Sequence, residues 1–393
     1  MSDAGHIGPG HKRCNRCGVE KLANAFNDSG KTKDGLAATC RECVNRRRRE
    51  LSRDKPKKPI NLVDACKRGR VETVEKLLQQ ADDIPLALLL GLVVQDFSTI
   101  RKTGGHRQTA ELLIGKGAPV SWHFVCEAAR GGHQALVDLL LTALPDDNIH
   151  VGSCVGDIVS VNRILADDPT AGRQTVDAHV HETFIHHYRS MTALHYCCLS
   201  ALGQDNPAKA RDLADIARRL IETGCPVDGA AEYYGLSGVT PLFCLCWTGG
   251  NELIAQELIA RVELDQSPYL GVALGHFQRH GKGHYPIADM LIAAGADPDY
   301  FDGGRTLLQT YSNQGDHRAV RWLIEHGVDV NAQDEFGRAA LHHAAERNAG
   351  TRVTQLLLEN GANDQLKDAQ GYKAVDIARQ NDKTKVAELL GGG

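Results

Sequence analysis

Four cysteines near the amino terminus form two pairs with the spacing of a metal site. Cys14 and Cys17 are two residues apart, as are Cys40 and Cys43, and 22 residues lie between the pairs. Four thiolates at this spacing can close a tetrahedral Zn²⁺ site that leaves no coordination position for water or substrate. We therefore predict a structural zinc ion, not a catalytic one. The alternative is four cysteines that are free or disulfide-bonded.

A run of arginines follows the second cysteine pair. If this segment is helical, Arg46, Arg49 and Arg53 share one face, and such a face can neutralise phosphate groups. We predict contact with DNA or RNA through the following residues: Arg41, Arg46, Arg47, Arg48, Arg49 and Arg53. The alternative is a solvated basic linker, or a contact with the acidic remainder of the chain.

The amino-terminal segment resembles a treble-clef zinc finger over about residues 11 to 53. The resemblance implies a knuckle at Cys14, a hairpin, and a helix whose first turn carries Cys40 and Cys43. The strings KRCNRCGVEKLANAF and KDGLAATCRECVNRRRRE are also similar to fingers that accompany phage HNH and endonuclease VII-like nucleases. A nuclease-related protein with degenerate or partner-supplied catalysis is therefore an alternative function. HNH chemistry needs a histidine just beyond the finger, but after His11 the next histidine is His106.

The remainder of the chain repeats itself with a period near 33 residues. Leu308 to Leu341 spans 33 residues, Leu341 to Val375 spans 34, and Leu242 to Leu308 spans 66, which is two units. The segments TALHYCC, TPLFCLC and RAALHHAA resemble the ankyrin signature T-P-L-H-x-A-A. Glycines that follow the apolar endings of the second helices are typical helix stops. We predict an all-α ankyrin-repeat solenoid of about nine or ten repeats.

Two stretches depart from this period. Leu194 to Leu242 spans 48 residues, and the surplus falls near residues 199–209 and 229–238. A second long connection lies near residues 170–190. Insertions in a stacked array must leave as surface loops, and such loops often carry recognition. We expect a protein partner on the concave face of the repeats and on these loops, although mere decoration is an equally weighted alternative.

Other residues that could do chemistry have a plainer interpretation. Histidines between residues 179 and 195 could hold a metal, but His195 occupies the ankyrin histidine position, where the resemblance implies hydrogen bonds to neighbouring loops. Cys198 and Cys246 align with Ala345, and Cys197 aligns with Ala344, where small residues let repeats stack. Core packing is therefore expected for Cys197, Cys198, Cys244 and Cys246. No motif of the common hydrolase, nucleotide-binding or metalloprotease types occurs, so we expect no enzymatic activity and no small-molecule substrate.

The charge distribution divides the chain in two. Residues 1–58 carry 15 Lys and Arg against 7 Asp and Glu, whereas residues 59–393 carry 30 against 42. We therefore expect a zinc-finger domain over residues 1–58 and a repeat domain over residues 59–393, each with its own partner. The sequence has no secretory signal at its start and no apolar stretch long enough to cross a bilayer. An intracellular location follows as an expectation: cytoplasmic, or nuclear in a eukaryote.

Overall fold

The structure is a computed structural model. It describes residues 11–14, 20–22, 26–28, 36–40, 61–80, 84–95, 104–144, 148–179, 187–233, 235–264, 268–275, 284–347 and 351–391. The chain divides into two compact units, Met1–Asn61 and Leu62–Gly393.

The amino-terminal unit contains two antiparallel strand pairs among its described residues. Strand β1 (His11–Arg13) pairs with β2 (Glu20–Leu22), and β3 (Phe26–Asp28) pairs with β4 (Leu36–Cys40). Cys14 directly follows β1 and has no exposed surface. The finger that the resemblance implies stays a prediction.

The second unit consists of helix pairs, ten of them within the residues that the structure describes. The twenty helices are α1 (Leu62–Lys67), α2 (Val71–Leu78), α3 (Leu86–Val94), α4 (Gly104–Gly115), α5 (Trp122–Arg130), α6 (Gln134–Thr142), α7 (Ile149–Val155), α8 (Ile158–Asp167), α9 (Ala193–Leu199), α10 (Pro207–Glu222), α11 (Pro241–Cys244), α12 (Glu252–Ile259), α13 (Tyr269–Ala273), α14 (Tyr285–Ala293), α15 (Leu307–Gln314), α16 (His317–Glu325), α17 (Ala340–Arg347), α18 (Arg352–Glu359), α19 (Ala374–Gln380) and α20 (Thr384–Gly391). Odd-numbered helices are the first of each pair and even-numbered helices the second.

The first helices form because small and apolar residues recur every three or four positions. This spacing places them on one face of the helix, which packs against the neighbouring helix pairs. In α17, for example, Leu341, Ala344 and Ala345 are all fully or almost fully buried. Small side chains permit close approach of successive helices, and that burial stabilises a helix of eight residues that would be marginal alone. Among the described helices none is long and apolar enough to span a bilayer.

Parts of the predicted insertions near residues 170–190 and 229–238 form β-strands in the part of the chain that the structure describes. Strands β5 (Val176–His179) and β6 (His187–Met191) pair, as do β7 (Ala231–Tyr233) and β8 (Leu236–Val239). Strand β6 also pairs with β7, so two successive hairpins join in one four-stranded antiparallel sheet. Backbone groups that would need water in a loop are thus paired across the two repeats. A short fifth hairpin joins β9 (Phe301–Asp302) to β10 (Arg305–Thr306).

The surplus near residues 199–209 has a different form. It lengthens the connection after α9 and precedes α10, which has 16 residues. Gln204 Nε2 donates to the carbonyl of Thr248 at 2.6 Å, and Thr248 Oγ1 donates to the carbonyl of Leu199 at 3.1 Å. Thr248 lies in a π-helical turn, Leu245–Gly249, that continues α11. The connection is therefore held by hydrogen bonds to Thr248 of the next repeat.

Candidate functional site

The structure describes two of the four predicted zinc ligands. Cys14 is buried directly after β1, whereas Cys40 is the last residue of β4 and lies opposite Phe26. The expectation that Cys40 begins a helix was wrong, because its backbone is paired in a strand. Cys17 and Cys43 lie outside the described residues. Within the described part of the chain no three His, Cys, Asp or Glu side chains are grouped to hold a metal, and the four-cysteine site stays a prediction.

The predicted nucleic-acid contacts all lie outside the described residues. These are Arg41, Arg46, Arg47, Arg48, Arg49 and Arg53. Their role stays a prediction.

His195 joins its own helix to both ends of the β7–β8 hairpin. Its Nε2 lies 3.0 Å from the carbonyl of Gly229 and 3.2 Å from that of Val239, while Nδ1 accepts from the backbone N–H of Thr192 at 3.2 Å. Because carbonyls only accept hydrogen bonds, Nε2 carries the proton and Nδ1 is the acceptor. Burial lowers the pKa of His195 to about 4, which keeps the ring neutral in this role. The predicted loop-bridging role of this histidine is confirmed.

Gln309 makes the equivalent hydrogen bonds in a later repeat. Its Oε1 accepts from the backbone N–H of Thr306 at 2.9 Å, and its Nε2 donates to the carbonyls of Ala332 and Arg338 at 2.9 and 3.2 Å. An amide offers one acceptor and two donors, so it can replace a neutral imidazole here. The sequence reasoning missed Gln309. The signal that could have found it is its place three residues after Thr306, which matches the place of His195 after Thr192.

Replacing His195 by alanine should destabilise the repeats by about 3 kcal/mol or more. The change removes the imidazole donor from the carbonyls of Gly229 and Val239, and each polar group that loses its hydrogen bond costs about 1–3 kcal/mol. His195→Gln should cost about 1 kcal/mol or less, because Gln309 shows that glutamine makes the equivalent bonds. Urea unfolding followed by circular dichroism measures both changes. Equal losses for the two variants would contradict the bridging role.

The histidine-rich segment is only partly described. Strand pairing sets the backbone of His179 opposite that of His187, and His181 and His186 lie outside the described residues. His195 is committed to the hydrogen bonds given above and is removed from any metal set. The possibility of a metal at this segment therefore stays untested.

Eight cysteines of the second unit are buried thiols that form no disulfide. Cys197, Cys198, Cys244 and Cys246 have no exposed surface, and burial raises the pKa of all four thiols. A buried neutral thiol behaves as a small hydrophobe and is a poor nucleophile or metal ligand. The predicted packing role of these four cysteines is confirmed.

Buried carboxylates also hold the loops that precede the first helices of the last two repeats. Asp334 Oδ1 accepts from the backbone N–H groups of Phe336 and Arg338 at 3.0 and 2.8 Å, and its Oδ2 lies 2.9 Å from Nε2 of His343. Asp368 accepts from the N–H groups of Gln370 and Tyr372. In both loops the aspartate accepts from the backbone N–H groups two and four residues later, so the two loops share one backbone conformation.

Comparisons with known proteins identify ankyrin repeats in this chain. A family model of ankyrin repeats matches three copies, over residues 276–368 and 307–392. An ankyrin repeat protein of Rickettsia felis is 33% identical over 87 residues, which is 22% of this chain and 23% of that protein. The E3 ubiquitin-protein ligase KEG of Arabidopsis thaliana is 36% identical over 101 residues, which is 25% of this chain and 6% of the ligase. The chain thus spans less than a quarter of the length of either relative.

A solved structure with a similar arrangement is the ankyrin repeat domain of Bcl-3, a member of the IkappaB protein family. It has a TM-score of 0.44 and 21% identity, over 61% of this chain and 98% of that one. The family match, together with the helix pairs and the hairpins that fasten them, shows that this mostly helical chain contains ankyrin repeats.

Proposed function

We propose that this protein is a scaffold or adaptor that binds a protein partner through the hairpins and first helices of its repeats. The observation that carries the proposal is a set of buried side chains that hold the hairpins and the equivalent loops in one conformation, namely His195, Gln309, Asp334 and Asp368. A surface that is already ordered loses little conformational entropy on association. Stacked repeats supply such a surface over a long contact.

Mass spectrometry of proteins that co-purify with the intact chain tests this proposal. A partner that is lost when the hairpins are loosened by His195→Ala, and retained with His195→Gln, would support it. A chain that captures no partner above background, with and without nuclease treatment, would argue against a scaffold.

We propose no catalytic role for the chain. One relative is named as an E3 ubiquitin-protein ligase, but the matched segment is 6% of that ligase, so its activity is not transferred. The nuclease alternative rests on the finger resemblance alone. Incubating the purified chain with plasmid and Mg²⁺ or Mn²⁺ tests it, and cleavage abolished by a histidine substitution would favour it.

The second half of the proposal concerns the amino-terminal unit. Cys14 is completely buried beside a strand pair, which is the environment that a structural zinc ligand needs. Cys14, Cys17, Cys40 and Cys43 would hold the ion, which would cross-link the short strand pairs. Thiolate ligands and the buried thiols of the repeats both favour a reducing compartment inside the cell.

Neutralising the arginine run should abolish nucleic-acid binding by the full chain. Substitution of Arg46, Arg47, Arg48 and Arg49 by alanine removes up to four phosphate contacts, and each contact contributes about one unit to the salt slope of binding. Fluorescence anisotropy with labelled DNA and RNA at several salt concentrations measures the change. The control is Arg211→Glu on α10, which should leave nucleic-acid binding unchanged. Unchanged binding by the quadruple variant would refute the contact between the arginine run and nucleic acid.

A further inference from the structure

The first helices of two middle repeats have every residue buried. This holds for all seven residues of α7, Ile149–Val155, and for all seven of α9, Ala193–Leu199. In α15, by contrast, Asn313 and Gln314 keep exposed surface. A helix that is buried all round is covered even on the side that a first helix would otherwise offer to a partner. Residues of the two neighbouring repeats supply part of this cover for α7.

Rings from three repeats meet at the amino-terminal end of α7. Trp122 is the first residue of α5, His150 is the second residue of α7, and Tyr196 lies in α9. The ring centroids of Trp122 and Tyr196 are 5.5 Å apart in an edge-to-face arrangement, and both rings also contact that of His150, at 5.7 and 5.5 Å. Helices α5 and α9 therefore contact each other at this end of α7, although their repeats are not consecutive.

The connection after α9 makes a second contact of this kind, at the carboxyl ends of the first helices. The backbone N–H of Ala201 donates to the carbonyl of Ala129, near the end of α5, at 3.1 Å. Lys209, in the first turn of α10, donates from Nζ to the carbonyl of Gly156, the residue that caps α7, at 3.1 Å. Leu202 of the same connection is buried. This connection therefore joins its own repeat to the two repeats before it.

Contacts between repeats that are not neighbours change how the array can open. In stacked repeats each unit ordinarily contacts only its neighbours, so stability is a sum of local contributions and repeats can open one after another. Here α7 can separate from its neighbours only if the ring contact and the backbone hydrogen bond between α5 and the repeat of α9 break as well. The thiol of Cys154 adds a link from α7 to α5, because it donates to the carbonyl of Cys126 at 3.7 Å.

We propose that α5, α7 and α9 form a closed block that opens as one unit and offers no side chain of α7 or α9 to a partner. The block does not depend on the proposed scaffold function, but it limits where that function acts. A partner then contacts first helices that keep exposed side chains, such as α15 with Asn313 and Gln314. The concave face that the repeats were expected to offer is thus interrupted at α7 and α9.

Alkylation of the native chain tests the proposal, because each helix of the block carries a buried cysteine. Cys126 lies in α5, Cys154 in α7 and Cys198 in α9. The intact chain is pulsed with N-ethylmaleimide at increasing urea below its unfolding midpoint, and peptide mass spectrometry gives the labelling rate of each thiol. The three rates should agree within about twofold and share one urea dependence, since thiols that are reached through one common opening report the same free energy.

Two variants and one further thiol separate a common opening from independent ones. Trp122→Ala removes the ring contact with Tyr196, so Cys154 should be labelled about tenfold faster, in keeping with the free energy of an aromatic pair. Tyr196→Phe keeps the ring and removes a hydroxyl that has no hydrogen-bond partner among the described residues, so labelling should not change. Cys66 of α1 lies outside the block and should show a weaker urea dependence.

Three separate urea dependences for the thiols of the block in the parent chain overturn the proposal. So does an unchanged labelling rate of Cys154 in Trp122→Ala. Neither measurement needs a partner, so a chain that captures no partner would contradict the scaffold function and leave the block standing.

Discussion

Replacing Cys14 by alanine in the full chain should abolish the binding of one zinc ion. Zinc bound by four cysteines loses a charged ligand in this variant, and structural zinc sites in small fingers supply about 10–16 kcal/mol of apparent binding energy. A unit as short as Met1–Asn61 has little apolar core to compensate. The strand pairs that flank Cys14 should therefore unfold, whereas the repeats should keep their structure.

Native mass spectrometry and metal analysis measure the loss of zinc directly. Substituting cobalt for zinc adds a second readout, because a tetrahedral thiolate site gives cobalt a characteristic absorption. Cys246→Ala is the control, since Cys246 is a completely buried thiol of the repeats and should not affect metal content. A chain that binds no zinc before mutation, or as much zinc after Cys14→Ala, would refute the finger.

Mild acid should loosen the middle repeats well before general acid unfolding. Burial is the largest cause that lowers the pKa of His123, His150 and His195 to about 4, although Glu127 opposes the shift at His123. In the unfolded chain the same rings titrate near 6.5. Between these values the unfolded chain binds more protons than the folded one, so stability is fully present above pH 6.5 and is lost as the pH falls toward 4. Each histidine then contributes about 1.4 kcal/mol per pH unit.

Urea unfolding at several pH values between 7 and 4 measures this loss. His195→Gln supplies the matched control, because glutamine keeps the hydrogen bonds to the hairpins but does not titrate. The variant should be slightly less stable than the parent chain at pH 7, and the difference should vanish or reverse near pH 4. Parallel stability curves for the two proteins would show that His195 is not the titrating group.

The two cysteine pairs and the arginine run can be recognised in the sequence. The secondary structure in which each of these residues lies depends on the segments that pack or pair with it. Two cysteine pairs indicate four thiolates, and the burial of Cys14 is consistent with that use. Whether Cys40 begins a helix or ends a strand could not be predicted from the spacing, because both arrangements can present a thiolate. The pairing of Cys40 with Phe26 decided this point.

The sequence by itself determined that the chain contains ankyrin repeats, where their first helices lie, that His195 bridges loops and that the buried cysteines pack in the core. These features follow from residues within one or two helical turns, since burial at a regular spacing selects the helix and its inward face. The leucines Leu308 and Leu341 mark that spacing directly.

Only the tertiary structure decided which loops join. The pairing of β6 with β7 joins Tyr188 to Tyr233 and Arg189 to Glu232, and no local pattern predicts which backbone groups will meet at that distance along the chain. The same holds for Gln309, whose amide donates to the carbonyls of Ala332 and Arg338 in the following loop. A repeat can be recognised from the spacing of its own buried residues. A surface made by several loops arises only from contacts between repeats.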